Sequence, residues 1–250
     1  TLVEKSDRLG GRLAGPHLKN LYPDMRPGDK VLEQKLARLK ESHARVLLDA
    51  TVSDINGYLG NFDVSLRDGG EQSLRVGAII LATGAELYDP HGEYGYGELP
   101  NVITSEELER AFCESDSDLV VNGNRPKSAA FILCVGSRDP NGFSGCSRYC
   151  CPTAIKQAIQ LCEQGIDTTI FYRDIRTISS GAEEMYRRAR GMGILFIRIP
   201  PQEKPVVSAD GRAQAVECYD ELLHRRVQVL VDLVVLGVGM RPARSQNEKI

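Results

Sequence analysis

Four of the seven cysteines lie close together in the sequence, at Cys134, Cys146, Cys150 and Cys151. The last two come directly before Pro152 and a segment of helical period, so both stand at the start of a predicted helix. A helix N-terminus favours the thiolate, which is the form of cysteine that binds iron and exchanges disulfides. The spacing predicts a redox or metal centre, and three uses stay open: ligation of a 4Fe-4S cluster, thiol–disulfide exchange, and buried thiols without chemistry.

Four cysteines suffice for a 4Fe-4S cluster, but the spacing Cys-x3-Cys-Cys differs from the bacterial ferredoxin run. Adjacent Cys150 and Cys151 would have difficulty in reaching one cuboidal cluster from the start of a helix. We therefore expect that one or two of the four join cysteines of another domain or subunit. The four histidines are scattered and have no metal-ligand spacing.

An acidic residue ends the first short apolar run, and paired glycines follow it. In a dinucleotide-binding fold, an acid at the end of the second strand accepts hydrogen bonds from the ribose hydroxyls of adenosine. Glu4 has this position, followed by Lys5. Gly10, Gly11 and Arg12 come next, and glycine lets the backbone pass close to a cofactor where a side chain would collide with it. The pattern predicts that these five residues bind a dinucleotide.

Two further segments belong to the predicted cofactor site. The apolar run at residues 78–81 predicts a strand buried on both faces, and Ala82-Thr83-Gly84 would then stand at its ligand-binding carboxyl end. Val52 has the position whose backbone usually meets the adenine edge, with a plain core valine as the alternative. The Gly-x-Gly-x-x-Gly loop that cradles the pyrophosphate should lie roughly 25 residues before Glu4. Because that loop is not in this chain, we interpret Thr1 as a truncation.

Two similar halves position these residues. Each half contains a strand, a helix, a strand, an antiparallel hairpin and a buried strand that ends in glycine, an alternation that predicts parallel sheets. A hairpin before the final strand is typical of two-domain flavoprotein oxidoreductases, in which one half holds FAD and the other usually holds NAD(P)H. The predicted elements are a helix at 32–39, a strand at 46–48, a hairpin at 63–76 with a turn at 68–70, strands at 78–81 and 129–135, a helix at 153–164, a strand at 168–172, a helix at 183–192, a strand at 194–199, hairpin strands at 206–219 and 225–229, and a strand at 233–236.

We therefore predict an α/β fold with two Rossmann-like domains of the thioredoxin reductase type, in a three-layer ββα/parallel-sheet architecture that is truncated at its N-terminus. Residues 1–100 would form the FAD-binding domain, with about 85–126 as a linker, and 127–250 a second, NAD(P)-domain-like half that carries the cysteines. The second half has no glycine loop at the nucleotide position, where residues 134–139 stand instead.

Composition excludes several classes of function. The formal charge of −3 is spread without blocks, so we expect no nucleic-acid partner. No apolar run approaches the roughly 20 residues that span a bilayer, so we expect no direct membrane insertion. An odd number of partly clustered cysteines favours a reducing cytoplasm over a secreted disulfide framework.

Several motifs resemble the HdrA subunit of heterodisulfide reductases and the related flavoprotein subunits of quinone-interacting oxidoreductases. The similarity runs from Glu4 to Pro242. The motifs are Cys-Val-Gly-Ser-Arg-Asp at 134–139, Cys-Ser-Arg-Tyr-Cys-Cys at 146–151, Ala-Ile-Lys-Gln-Ala at 154–158, and the segments 57–62, 93–97, 101–104 and 171–176.

The resemblance implies a cytoplasmic FAD-dependent electron-transfer subunit, which passes electrons between iron–sulfur centres and other subunits of a heterodisulfide reductase-like complex. In one respect the chain departs from the pattern: the ferredoxin-like cysteine segments that such subunits carry, often before the Ala-Thr-Gly strand, are absent between residues 66 and 78. Two alternatives remain: a non-catalytic scaffold of such a complex, and an NAD(P)H-dependent disulfide reductase, which the missing second glycine loop disfavours.

Charged residues follow the strands that are predicted in the second half. Arg138 and Asp139 follow one strand, and Arg173, Asp174 and Arg176 follow the next. They would bind a partner or a nucleotide, or form surface ion pairs that contribute little to stability.

Overall fold

The computed structural model describes residues 1–15, 18–67, 71–115, 118–210 and 213–243. The chain folds as two compact units. The first contains Thr1–Gly15 and Gly28–Glu86 together with the residues from Pro242 onward. The second contains Pro16–Pro27 and Leu87–Arg241. The assignment of FAD binding to the first half and of the cysteine chemistry to the second stays a prediction.

The helices and strands are numbered in chain order. The helices are α1 (Gly28–Glu41), α2 (Ser105–Glu114), α3 (Cys150–Glu163) and α4 (Ala182–Gly191), with a short 3-10 helix at Gly11–Leu13. The strands are β1 (Leu2–Val3), β2 (Asn20–Leu21), β3 (Arg26–Pro27), β4 (Val46–Leu47), β5 (Thr51–Tyr58), β6 (Asn61–Arg67), β7 (Glu71–Val76), β8 (Ala85–Leu87), β9 (Val102–Thr104), β10 (Ser128–Val135), β11 (Asp167–Tyr172), β12 (Leu195–Arg198), β13 (Val206–Asp210), β14 (Ala213–Asp220), β15 (Arg225–Val231), β16 (Leu233–Val238) and β17 (Met240–Pro242).

The first unit combines a parallel strand pair with an antiparallel sheet. β1 pairs in parallel with β4, and α1 connects them. The predicted apolar stripe of α1, at Leu32, Leu36 and Leu39, is half-buried. β6 and β7 form the predicted hairpin, and β5, which was not predicted, adds a third antiparallel strand; the inner face of this sheet buries Val64 and Leu66. The turn predicted at 68–70 lies outside the described residues.

The strand predicted at residues 78–81 is wrong. Residues 78–84 have no regular secondary structure, and Ile80 and Leu81 are 92% and 59% exposed. A strand that is buried on both faces needs a hydrogen-bonded neighbour and two covering layers. Within the described residues, no strand pairs with this segment. The apolar run at 78–81 has the composition of a buried strand, but it lacks the paired strands and covering layers that such a strand needs within the described residues.

The second unit is built on a five-stranded parallel sheet with the order β12-β11-β10-β16-β9. The sheet has a helix layer on one face, since Phe131 and Leu133 of β10 share a core cluster with Ile155 of α3. Ala130 and Ile132, which point to the opposite face, pack with residues of the antiparallel β13-β14-β15 sheet. These three layers are the ones that the alternation of strands and helices predicted.

The predicted elements of the second unit are present with shifted ends, except that the strand predicted at 206–219 is wrong: β13 and β14 are two strands that pair with each other. α3 begins at Cys150 rather than near residue 153, so both adjacent cysteines lie in its first turn. β9 and α2 lie in the stretch at about 85–126 that was predicted as a linker. There Thr104 accepts a hydrogen bond from the backbone N–H of Glu107, and the Glu107 side chain accepts one from the backbone N–H of Thr104, which is a capping box.

Residues 18–27, which we call the arm, pack on the helices of the second unit although they precede it by about 60 residues in the chain. The Lys156 ammonium binds the Glu109 carboxylate at 2.6 Å, and both side chains are 2% exposed. It also donates to the backbone oxygen of Asn20 at 2.9 Å, while the backbone N–H of Lys19 donates to Glu109 at 2.9 Å. Gln157 donates a further bond to Glu109 at 3.0 Å. The arm therefore supplies two of the hydrogen bonds of a buried ion pair.

In the part of the chain that the structure describes, every helix is too short or too polar to cross a lipid bilayer.

Candidate functional site

Cys134 lies in a bulge at the carboxyl end of β10. The register of β10 against β16 shifts between Leu133 and Val135, and Cys134 has a φ of 66°, which is rare for a residue with a side chain. The bulge brings its sulfur into hydrogen-bonding contact with the thiol of Cys150. This hydrogen bond and burial raise the pKa of Cys134. A strand end that turns a thiol toward a helix start is the central feature of the site.

Cys150 and Cys151 lie in the first turn of α3, and both are almost completely buried. The hydrogen bond with Cys134 lowers the pKa of Cys150, but the bond with Cys151 and burial outweigh it and raise the pKa to about 12. The hydrogen bond with Cys150 lowers the pKa of Cys151, and the backbone N–H of Arg176 acts in the same direction. The expected thiolate at the helix start is therefore favoured at one of the two cysteines. We call Cys134, Cys150 and Cys151 the thiol chain.

Cys146 lies on the loop before α3 and is half-buried. Its sulfur accepts a hydrogen bond from the backbone N–H of Arg148 at 3.4 Å. Within the described residues, no group of three or more His, Cys, Asp or Glu side chains is placed to hold a metal ion. As described, the thiol chain and Cys146 do not form a closed metal cage, and cluster ligation stays a prediction.

Arginines surround the thiol chain. The Arg138 guanidinium forms an ion pair with Asp174 and a hydrogen bond with the Cys134 sulfur. Arg176 binds the second oxygen of Asp174 at 2.9 Å, and Arg173 donates to the backbone oxygen of Arg138 at 2.9 Å. Burial raises the pKa of Asp174, but its bonds to Arg138 and Arg176 outweigh burial and lower it overall.

An aromatic ring packs against the backbone at the carboxyl end of β10. In doubly wound sheets, ligands bind where the strand order reverses, outside the carboxyl ends of the strands. Here that point lies at the end of β10, at Gly136. A Cβ at Gly136 would collide with the Tyr88 ring. The ring is held by a hydrogen bond from its hydroxyl to Glu93 and by the Arg241 guanidinium, which lies 4.6 Å from the ring centroid.

The first unit positions Glu4 as predicted, at the end of β1. Its backbone N–H donates to Leu47 at 2.9 Å and its backbone oxygen accepts from Ala50 at 3.0 Å, so the residue is held at the carboxyl edge of the parallel pair. One carboxylate oxygen accepts a hydrogen bond from the backbone N–H of Ser6 at 2.9 Å. Lys5 beside it is exposed.

The paired glycines have the conformations that favour glycine. Gly10 has a φ of 118°, and a Cβ there would lie 2.9 Å from Ala14 and 3.0 Å from Leu32 of α1. Gly11 has a φ of 49°, and a Cβ there would meet open space. Packing therefore requires glycine at position 10, whereas the backbone of Gly11 borders open space. Arg12 is half-buried in the short 3-10 helix that follows.

The other predicted FAD residues lie in β5 and in the segment before β8. Val52 is half-buried in β5 and pairs with Leu66 of β6. Residues 82–84 are exposed, and within the described residues no hydrogen bond joins them to Glu4 or to the paired glycines. Gly84 has a φ of 77°, so the turn at the end of this segment does require glycine.

The sequence patterns did not indicate Tyr88 and Arg241, which pack at the carboxyl end of β10. Tyr88 directly follows β8 and Arg241 lies in β17, so the two are more than 150 residues apart in the chain. The available signal was the absence of the second glycine loop, because a crevice that is not used for a dinucleotide has to be filled by side chains.

The chain is similar in sequence to curated archaeal proteins. It is 42% identical to the A subunit of the H(2):CoB-CoM heterodisulfide,ferredoxin reductase of Methanothermobacter thermautotrophicus, over 71% of this chain and 28% of that protein. It is 44% identical to an iron–sulfur A subunit (the one numbered 2) of the CoB–CoM heterodisulfide reductase of Methanopyrus kandleri, over 69% of this chain and 28% of that protein. The chain thus spans less than a third of the length of these relatives. No protein-family model matches it.

The fold is that of thioredoxin reductases. The thioredoxin reductase of T. acidophilum superposes with a TM-score of 0.55 at 16% identity, over 98% of this chain and 70% of that one. The enzyme of Lactococcus lactis gives a TM-score of 0.54 at 16% identity, over 97% and 70% of the two chains. The predicted fold class, with its Rossmann-like architecture of the thioredoxin reductase type, is confirmed.

Proposed function

Because the chain belongs to the family of heterodisulfide reductase HdrA subunits, we propose that it forms part of an FAD-dependent electron-transfer subunit of an oxidoreductase complex. The observation that carries the proposal is the thiol chain at the carboxyl end of β10, in a unit whose nucleotide position is filled by Tyr88. A unit of this fold that carries buried thiols in place of a glycine loop is suited to exchange electrons with a neighbouring centre and not to bind a nicotinamide.

The first unit has features that fit a dinucleotide. Glu4 is fixed at a strand end, and one of its carboxylate oxygens is engaged within the described residues, which leaves the other to accept a ribose hydroxyl. Gly11 offers open space beside it in sequence. We propose that Glu4, Lys5, Gly10, Gly11 and Arg12 bind the adenosine half of FAD, with Val52 and residues 82–84 as further contacts.

FAD, when bound, supplies the chemistry of accepting and releasing one or two electrons. This chain's residues then bind and orient the cofactor, and the Tyr88 ring excludes a nicotinamide from the second unit. The hydrogen bonds of the thiol chain determine which sulfur most readily loses its proton, and Cys151 is favoured over its two neighbours. No side-chain general base is required.

The role of the four cysteines remains part of the proposal. As described, Cys134, Cys146, Cys150 and Cys151 do not form a metal cage, so a 4Fe-4S cluster would need ligands from elsewhere or a different position of the Cys146 loop. Iron and acid-labile sulfide analysis of anaerobically purified full-length protein, compared with Cys151→Ala, measures this directly. The partners would be other subunits of a heterodisulfide reductase-like complex and iron–sulfur electron carriers, in the cytoplasm.

The experiment that tests FAD binding uses the full-length protein with Glu4→Gln. Losing a charged acceptor of the ribose hydroxyls costs about 1.5–3 kcal/mol, which weakens FAD binding about 10- to 150-fold. The matched control is Asp7→Asn, an exposed acid three residues further along the chain, which should leave the affinity unchanged. Fluorescence titration of the apoprotein with FAD gives both constants. If the wild type shows no flavin absorbance after reconstitution, the proposal fails and a scaffold function takes its place.

A further inference from the structure

Positive charge is concentrated at the carboxyl edge of the second-unit sheet. Arg138 follows β10, Arg148 precedes α3, and Arg173 and Arg176 follow β11. We call these four residues the arginine rim. Asp174 is the acid that pairs within it, so four positive charges less one negative charge leave an excess of three. The chain as a whole has a formal charge of −3, so this excess is local and does not reflect a generally basic protein.

Two further acids near the rim share one lysine. Lys204 lies 3.6 Å from Asp139 and 3.4 Å from Glu93, so these three groups together leave one negative charge. The rim therefore keeps an excess of two positive charges after these acids are counted.

The arginine rim is in contact with the thiol chain. The Arg138 side chain hydrogen-bonds the sulfur of Cys134, and the backbone N–H of Arg176 donates to the sulfur of Cys151. The Cys151 sulfur also lies 3.9 Å from the backbone oxygen of Asp174. A molecule that binds the rim is thus brought next to the groups of this unit that are capable of electron exchange.

The outer part of the rim is accessible. The Arg176 side chain is 42% exposed. Arg148 is exposed, and its guanidinium has no hydrogen bond or ion pair among the residues that the structure describes. Ile178, two residues after Arg176, is 55% exposed and adds an apolar contact beside the charges.

We propose that the arginine rim docks the carboxylate-rich surface of a small iron–sulfur electron-carrier protein. The inference rests on the proposed electron-transfer function and adds the place at which the partner binds. Charges that are spread along a sheet edge, with an apolar residue beside them, fit an extended acidic surface. A small anion would instead need converging guanidinium groups, whereas Arg138 and Arg176 are turned toward Asp174. Opposite charges at such an edge accelerate encounter and orient the partner.

The test uses the full-length protein and, as the probe, a plant-type ferredoxin with an acidic surface. Binding is measured by surface plasmon resonance at about 0.05 M and 0.3 M ionic strength, where the Debye length falls from about 14 Å to about 6 Å. Arg148→Gln and Arg176→Gln should each weaken binding about three- to tenfold at low salt, and Arg148→Lys should restore it. Arg226→Gln is the matched control: it removes an exposed arginine of β15 that pairs with Glu217, and should change the affinity less than twofold.

Three results would overturn the proposal. One is an equal loss for Arg226→Gln and the two rim variants, which would mean unspecific attraction. Another is wild-type affinity in both rim variants. The third is displacement of the ferredoxin by inorganic phosphate at constant ionic strength, which would mark a small-anion site. Each binding measurement is made both with and without bound FAD, so that a failure of docking is distinguishable from a failure of flavin binding.

Discussion

Replacing Lys156 with methionine tests whether the ion pair under the arm is truly withdrawn from water. The Lys156 and Glu109 side chains are each 2% exposed, and 2.6 Å separates the ammonium nitrogen from the nearer carboxylate oxygen. In Lys156→Met the carboxylate keeps its bonds from Gln157 and from the backbone N–H of Lys19 but loses its counter-charge. Removal of one partner from a buried pair costs about 3–5 kcal/mol in the free energy of unfolding.

The loss has two parts. The Glu109 carboxylate is left buried without a counter-charge, and the backbone oxygen of Asn20 loses the hydrogen bond that Lys156 donates at 2.9 Å. We therefore expect a loss of about 3–5 kcal/mol at pH 7.

Urea unfolding followed by circular dichroism measures the loss at pH 7. The matched control is Arg188→Met, which breaks the Arg188–Glu163 pair at 2.5 Å, where the side chains are 49% and 47% exposed. An exposed pair of this kind contributes about 0–1 kcal/mol. Equal losses in the two variants would refute the reasoning.

Three further outcomes are expected from single substitutions. Gly136→Ala should lower the free energy of unfolding by about 2–5 kcal/mol, because it combines a φ of 69° with a collision against a tyrosine ring. The control Gly165→Ala has a φ of 75° but meets open space, so it should lower the free energy of unfolding by only about 1–2 kcal/mol. Equal losses in the two variants would contradict this. Since the pKa of Asp174 is lowered in the folded state, the stability that its ionised form contributes is present above the unfolded pKa of about 3.9 and is lost as the pH falls. Asp174→Asn should therefore lose less stability than the wild type between pH 6 and pH 3. Parallel plots of unfolding free energy against pH would contradict this. Thr104→Ala removes the hydroxyl of the capping box and should cost about 1 kcal/mol in thermal unfolding, whereas an unchanged melting temperature would show that the box is not needed.

Local patterns were sufficient for most elements of the second unit. β10 and α3 are long runs whose apolar periodicity depends only on neighbouring residues, so the sequence predicts them to within a few residues. The same reasoning failed at residues 78–84, because a buried strand is defined by neighbours in space and not by its own composition. Capping residues gave the available signal for α2, which the loop-rich composition before it obscured.

The candidate site was predictable in its residue types but not in its geometry. The spacing placed Cys150 and Cys151 at a helix start, and that position is observed. The contact between Cys134 and Cys150 depends on a one-residue bulge, which no pattern in the sequence indicates. Likewise, the contact between the Tyr88 ring and Gly136 depends on tertiary packing, and the absence of a glycine loop was the available sequence signal for this contact.

The arm has a consequence for how the protein is made. The Lys156 ammonium and the Asn20 carbonyl that it binds are separated by 136 residues, so the contact forms only after α3 has left the ribosome. Until then the docking surface of residues 18–27 is incomplete, since only the partners of Lys19 in and just after α2 are present, and closure of so long a loop slows folding. A gene fragment that starts at Leu87 would likewise encode a helix layer with a buried carboxylate that lacks one of its donors. Any fragment of this chain that is meant to fold independently and contains α2 and α3 therefore has to include the arm as well.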